Sequence, residues 1–179
     1  MQAASRRRFL VVGAGSLLAG CGGNAHVPCP TTSGAGPGLK YCLVDAKTLV
    51  FPGAALLPAS SAVLMNDDDN TAAVVVRDQR GFYAMSGICT HLCCLVSLCK
   101  DAVCKTLLGN PGDCARTDVV SVPASGALLV CPCHGSTFAA DGTVLTGPAT
   151  KPLPTVQVSV SGDDLVVDLS LPVPRATRA

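Results

Sequence analysis

Hydrophobic and polar positions alternate with a period of two through much of the chain beyond residue 39. Val156, Val158 and Val160 alternate with Gln157, Ser159 and Ser161, and Gly162-Asp163-Asp164 then turns the chain into the apolar stretch 165–169. This pattern predicts a β-hairpin, because side chains on a strand point to opposite faces in turn and a Gly-Asp pair supplies a tight reversal. The same reasoning predicts a hairpin from residues 74–77 and 82–85 across Asp78-Gln79-Arg80-Gly81, and another from 138–140 and 144–145 across Asp141-Gly142. Shorter strands are expected at 43–45, 62–65 and 127–130. No long stretch carries the 3.6-residue period of an amphipathic helix. Many short strands punctuated by Gly and Pro predict an all-β domain, a sandwich or partial barrel.

The pattern differs before residue 39. Ser5-Arg6-Arg7-Arg8-Phe9-Leu10 leads into an apolar run that ends at Gly20-Cys21. Residues 9–20 fall well short of the roughly 20 that a helix needs to cross a bilayer, so an export signal at 1–20 is expected in place of a spanning anchor. The Ser-Arg-Arg-x-Phe-Leu order resembles a twin-arginine signal, and Leu18-Ala19-Gly20-Cys21 resembles a bacterial lipobox. Together they predict a lipidated Cys21 and attachment through acyl chains at the periplasmic side of a bacterial membrane. Residues 21–38, rich in Gly, Pro, Ser and Thr, read as a flexible linker in which the lone His26 is solvated and idle. The folded domain is expected at 39–170, with a tail at 171–179.

Composition narrows the function classes. The 179 residues are 49% hydrophobic and 14% charged, which excludes disorder over most of the length. With two Tyr, four Phe and no Trp, the core must be built from Val, Leu and Ala. The scarcity of aromatics and the absence of a basic patch beyond Arg6, Arg7 and Arg8 argue against nucleic acid as a partner. Asp67, Asp68 and Asp69 lack the spacing of a calcium loop and read as a solvated turn. Eleven cysteines point to an oxidising compartment, a metal centre or both.

Two boxes carry the chemistry. Cys89-Thr90-His91-Leu92-Cys93-Cys94 follows one expected strand, and Cys131-Pro132-Cys133-His134-Gly135-Ser136 follows another. Thiolates and imidazoles in two such loops can hold one zinc tetrahedrally or the two irons of a cluster. Followed by Asp141-Gly142, Gly147-Pro148-Ala149 and Pro152-Leu153-Pro154, the boxes resemble those of the Rieske iron-sulfur proteins, most closely the branch found in cytochrome bc1 and b6f complexes. The resemblance implies a Rieske-type antiparallel β-sandwich with a cluster-binding subdomain of two loops and one [2Fe-2S] cluster per subunit. By position it implies Cys89 and Cys131 on one iron, His91 and His134 on the other, and a disulfide between Cys94 and Cys133. It also implies that backbone amides around Gly135 and the Ser136 hydroxyl bond the cluster sulfurs, with 147–149 covering the cluster from a third side.

The chain also departs from the family pattern. A tyrosine that bonds a ligand sulfur in high-potential members is Phe138 here, which implies a potential below the top of the family range of about −150 to +300 mV. Cys93 stands where the pattern usually has Gly, and 36 residues separate Cys94 from Cys131. With Cys21, the two cysteine ligands and the implied pair set aside, Cys29, Cys42, Cys93, Cys99, Cys104 and Cys114 are enough for three further disulfides.

The resemblance implies an electron carrier with no catalytic residue of its own. The expected donor is a quinol or a protein and the expected acceptor a cytochrome c-like protein, in a bc1-like or alternative respiratory complex at the membrane. The alternative is the small electron-transfer subunit of an exported oxidoreductase such as arsenite oxidase. Outside redox chemistry the remaining reading is a zinc-stabilised binding lipoprotein. A Rieske oxygenase is excluded by counting, since its second iron needs two more His and a carboxylate, and only His26 remains.

Overall fold

A computed structural model describes residues 39–40, 42–44, 47–66, 71–101, 103–104 and 116–179. The export signal, Cys21, the linker with His26 and Cys29, the three aspartates 67–69, and Cys114 lie outside the described residues. In chain order the strands are β1 (Leu39–Lys40), β2 (Cys42–Leu43), β3 (Thr48–Phe51), β4 (Ser61–Asn66), β5 (Ala72–Asp78), β6 (Gly81–Ser86) and β7 (Ser97–Leu98). They continue as β8 (Arg116–Thr117), β9 (Val120–Ser121), β10 (Leu129–Val130), β11 (Thr137–Phe138), β12 (Val144–Thr146), β13 (Thr155–Ser161) and β14 (Asp164–Pro172). A 3₁₀ turn occupies Ala54–Leu56. The all-β expectation holds, and among the described residues no helix is long and apolar enough to cross a membrane.

The strands pair antiparallel in an eight-stranded sheet ordered β2-β3-β14-β13-β6-β5-β4-β9, a four-stranded sheet β12-β11-β10-β7, and the pair β1-β8. The three expected hairpins are all present, as β5-β6, β11-β12 and β13-β14. Their turns form for local reasons. Asp78 accepts a hydrogen bond from the Arg80 amide at 2.7 Å, and Asp141 accepts one from the Thr143 amide at 2.9 Å. Both are side chains that stand in for a backbone turn. Gly142, at φ +81°, sits where an added Cβ would lie 3.1 Å from Met85 Sδ and 3.2 Å from Leu153 Cβ. That turn therefore needs glycine for both conformation and space.

β4, β5 and β6 are buried on both faces. Val63, Met65, Ala73, Val75, Phe82 and Ala84 face a core closed by Leu49, Phe51, Val156, Val158, Leu165 and Val167 from β3, β13 and β14. Their neighbours Ala62, Leu64, Val74, Val76, Tyr83 and Met85 face a second core shared with Cys89, Leu98, Leu129, Cys131, Phe138 and Leu153. Burial on both faces is why 72–76 reads Ala-Ala-Val-Val-Val with no alternation. The second core is the floor of the two boxes, so the same strands that complete the sandwich carry the site.

β14 runs through Pro172 and so crosses residue 170, expected as the domain's end. The segment after it packs on the body. Ala179 exchanges both backbone hydrogen bonds with Phe82, at 2.9 and 3.0 Å. Arg178 lies 2.8 Å from the Asp78 carboxylate and 4.0 Å above the Tyr83 ring. Arg175 donates to the Asp141 carbonyl at the turn that joins β11 to β12.

Candidate metal centre

The two boxes are one turn built twice. In the first, the Cys89 amide donates to the Cys94 carbonyl at 2.7 Å and the Cys93 amide donates back to the Cys89 carbonyl at 3.1 Å. In the second, the Cys131 amide donates to the Ser136 carbonyl at 2.7 Å and the Gly135 amide to the Cys131 carbonyl at 2.9 Å. The equivalence extends to the backbone, for Cys93 (φ 52°) and Gly135 (φ 77°) hold the same left-handed position. β6 feeds the first loop and β10 the second, while Ile88 and Leu95 pair across the first loop's base.

Cys89 and Cys131 are free and each only 1% exposed. Burial, and then the neighbouring Cys89 thiol, push the Cys131 thiol up from its ordinary value. A metal ion relieves that cost by taking the thiolate charge. The rings of His91 and His134 meet edge to face with centroids 4.9 Å apart. His134 is exposed, but Nδ1 of His91 is buried without a hydrogen-bond partner. An orphaned buried nitrogen costs about 1–3 kcal/mol, which a bound metal removes.

Cys94 and Cys133 form a disulfide that joins the boxes, with Cα atoms 6.5 Å apart. The Cys131 sulfur lies within 4.8 Å of both bridge sulfurs. Cys99 and Cys104 form a second disulfide. Cys93 differs from the expectation that it shares in a bridge: it is a free thiol on an exposed residue at the left-handed position of its loop. Cys29, Cys114 and the side chain of Cys42 lie outside what the structure describes.

A third wall closes the site. The Ala149 amide donates to Ser136 Oγ at 2.9 Å, and Thr90 Oγ1 donates to the Lys151 carbonyl at 2.5 Å. The segment at 147–151 is thus tied to both boxes. Ser136, fully buried, accepts from Ala149 and keeps its own proton to donate. Phe138, also fully buried, packs in the core that contains both Cys89 and Cys131.

Sequence reasoning missed the Thr90–Lys151 bond, the Ala149–Ser136 bond and Tyr83, all supports of this arrangement. Tyr83 donates to the Ala140 carbonyl at 3.1 Å, and burial pushes its phenol up to about 12, so it stays a neutral donor. Its only signal in the sequence is its phase on β6, which turns it toward the second core.

Comparison with known proteins decides which metal group these residues suit. Residues 56–157 match the Rieske [2Fe-2S] domain, more than half of the chain. The chain belongs to the Rieske family. It is similar to the cytochrome b6-f complex iron-sulfur subunit of Synechococcus sp. (strain JA-3-3Ab), 34% identical over 83 residues that cover 46% of this chain and 34% of that one. The corresponding subunit of Gloeobacter violaceus is 32% identical over 97 residues, covering 52% and 39%. The match thus spans well under half the length of either curated relative. Among solved structures, the cyanobacterial plasma membrane Rieske protein from Synechocystis PCC 6803 is 30% identical, with 59% of this chain and 85% of that chain covered and a TM-score of 0.38.

A Rieske domain binds a [2Fe-2S] cluster, and the residues present fit one. Two buried free thiols, two imidazoles in contact and an unpartnered ring nitrogen form a mixed donor set. The chain is an iron-sulfur electron-transfer protein related to the b6f Rieske subunits.

Proposed function

We propose that Cys89 and Cys131 hold one iron of the cluster and His91 and His134 the other, and that the chain carries electrons from a quinol to a cytochrome c-like acceptor in a bc1-like or alternative respiratory complex. In this reading residues 39–170 are the electron-carrying domain, preceded by a signal at 1–20 and a linker at 21–38. A lipidated Cys21 tethers it at the periplasmic face of a bacterial membrane. The observation that carries the ligand assignment is the orphaned Nδ1 of His91 in the loop that also holds the buried Cys89 thiol.

The cluster supplies a one-electron redox centre. Two neutral imidazoles in place of two thiolates remove two negative charges, which moves such centres to about −150 to +300 mV from about −400 mV for four-cysteine clusters. With Nδ1 of His91 committed to metal, Nε2 is the atom that holds or releases a proton. Exposed His134 and Leu92, the latter 62% exposed, give a donor a rim to touch. The bonds Thr90–Lys151 and Ala149–Ser136 hold the third wall against both loops, which limits water around the ligands.

The test is EPR of the reduced full chain with a redox titration against pH. The expected result is a rhombic signal with average g below that of ordinary ferredoxins and a midpoint that falls as pH rises. His134→Ala and Cys131→Ser should each lose the signal, and either variant with its full visible spectrum would refute the ligand assignment. Reduction by a quinol analogue should be blocked by a quinol-site inhibitor. Equal rates with and without inhibitor would remove the quinol from the reading and leave a protein donor.

A further inference from the structure

Five cysteines lie in the two boxes, Cys89, Cys93 and Cys94 in the first and Cys131 and Cys133 in the second. The Cys131 sulfur, a cluster ligand in the reading above on which this inference rests, lies within 4.8 Å of both sulfurs of the bridge. Cys131 is a free thiol beside a disulfide, and such a thiol becomes a nucleophile beside its electrophile once it gives up its proton. While iron occupies Cys131 its lone pair is engaged and the bridge is safe.

We propose that loss of the cluster triggers an internal thiol-disulfide exchange, in which Cys131 attacks Cys94 and displaces Cys133. One S–S bond forms between Cys131 and Cys94 as the bond between Cys94 and Cys133 breaks. The electron pair leaves on the Cys133 sulfur, which takes up the proton that Cys131 gives away. One disulfide and one thiol stand on each side of the reaction, so no oxidant or reductant is consumed. Attack on Cys94 is favoured over attack on Cys133. A Cys131–Cys133 bond would close a ring through a single intervening residue, against the dihedral preference of disulfides. Departure of Cys133 releases a sulfur on an exposed residue, where water stabilises the thiolate.

The new bridge still joins the two boxes but withdraws an iron ligand. A chain that has lost its cluster is thereby locked against reloading until a dithiol reduces the bridge. The cluster and the disulfide guard one another.

The experiment starts from the purified full chain under anaerobic conditions. Its iron and sulfide content and EPR signal are recorded, the cluster is removed by a chelator without reductant, free thiols are alkylated in acid, and the disulfides are mapped by mass spectrometry. The chain before chelation should show Cys94–Cys133. The chain after chelation should show Cys94–Cys131 in the majority of molecules, with Cys133 alkylated. Retention of Cys94–Cys133 with Cys131 alkylated would overturn the proposal, as would a product that contains Cys93 or a Cys89–Cys131 bond. Cys93→Ser should give the same product as the unaltered chain, and Cys131→Ser, which offers no attacking sulfur, should keep Cys94–Cys133. A chain isolated with no cluster would defeat the ligand reading by itself. Its map would still decide the exchange, because Cys131 would be free to react from the outset.

Discussion

Cys93 and Gly135 hold equivalent places in the two boxes, at φ 52° and 77°. A residue with a Cβ costs about 1–2 kcal/mol in that conformation, partly offset because glycine loses more freedom on folding. Cys93→Gly is therefore expected to stabilise the protein by about 0.5–1 kcal/mol, read as a higher urea midpoint at unchanged slope. Phe138 makes a second prediction at this scale. It is fully buried in the core that holds Cys89 and Cys131, the cysteines proposed as ligands, so the hydroxyl of Phe138→Tyr is expected to bond one of their sulfurs. A bond stronger by about 1 kcal/mol in the reduced state raises the midpoint by roughly 40 mV, measurable by protein-film voltammetry. An unchanged midpoint together with lost stability would place the hydroxyl in the apolar core instead.

Among the elements, the segment after β14 ties the two halves of the fold together through Arg178 on Asp78 and Arg175 on the Asp141 turn. Burial alone would raise the Asp78 carboxyl, but its bonds and proximity to Arg178 and Arg80 outweigh that and hold it below its ordinary 3.8. A depressed carboxylate stabilises the fold above its unfolded value, and that contribution fades as pH falls through the folded value. Arg178→Ala should thus cost about 1 kcal/mol at neutral pH, since the pair is only partly exposed, and the gap from the unaltered chain should narrow below about pH 4. Thermal unfolding of both proteins at the two pH values checks this.

Elements whose partners are near in sequence were legible in it. Asp78 to Gly81 and Gly162-Asp163 announced their hairpins, and the paired boxes announced the site. β3, β7 and the final segment were not legible, because each is defined by a partner far along the chain. β3 pairs with β14, β7 with β10, and Ala179 with Phe82. The tie from Ala149 to Ser136 was hidden for the same reason, since a backbone amide leaves no mark in the sequence.

For the whole molecule, the bridge between Cys94 and Cys133 closes a loop with a sequence separation of 39. In the chain-entropy model such a closure stabilises by about 4 kcal/mol. Cys94→Ser should lower the unfolding temperature accordingly and shorten the life of the visible absorbance at raised temperature. An unchanged lifetime would mean that the hydrogen bonds of Thr90 and Ser136 suffice to keep the boxes together. The slab of β4, β5 and β6 also governs how this chain can diverge. Every side chain from 73 to 76 is committed to one core or the other, so a volume change made to suit one side is transmitted through the shared backbone to its opposite. Drift is thereby steered out of the slab and into its edges, such as the exposed pair Gln79 and Arg80, where neither core keeps a record of the exchange.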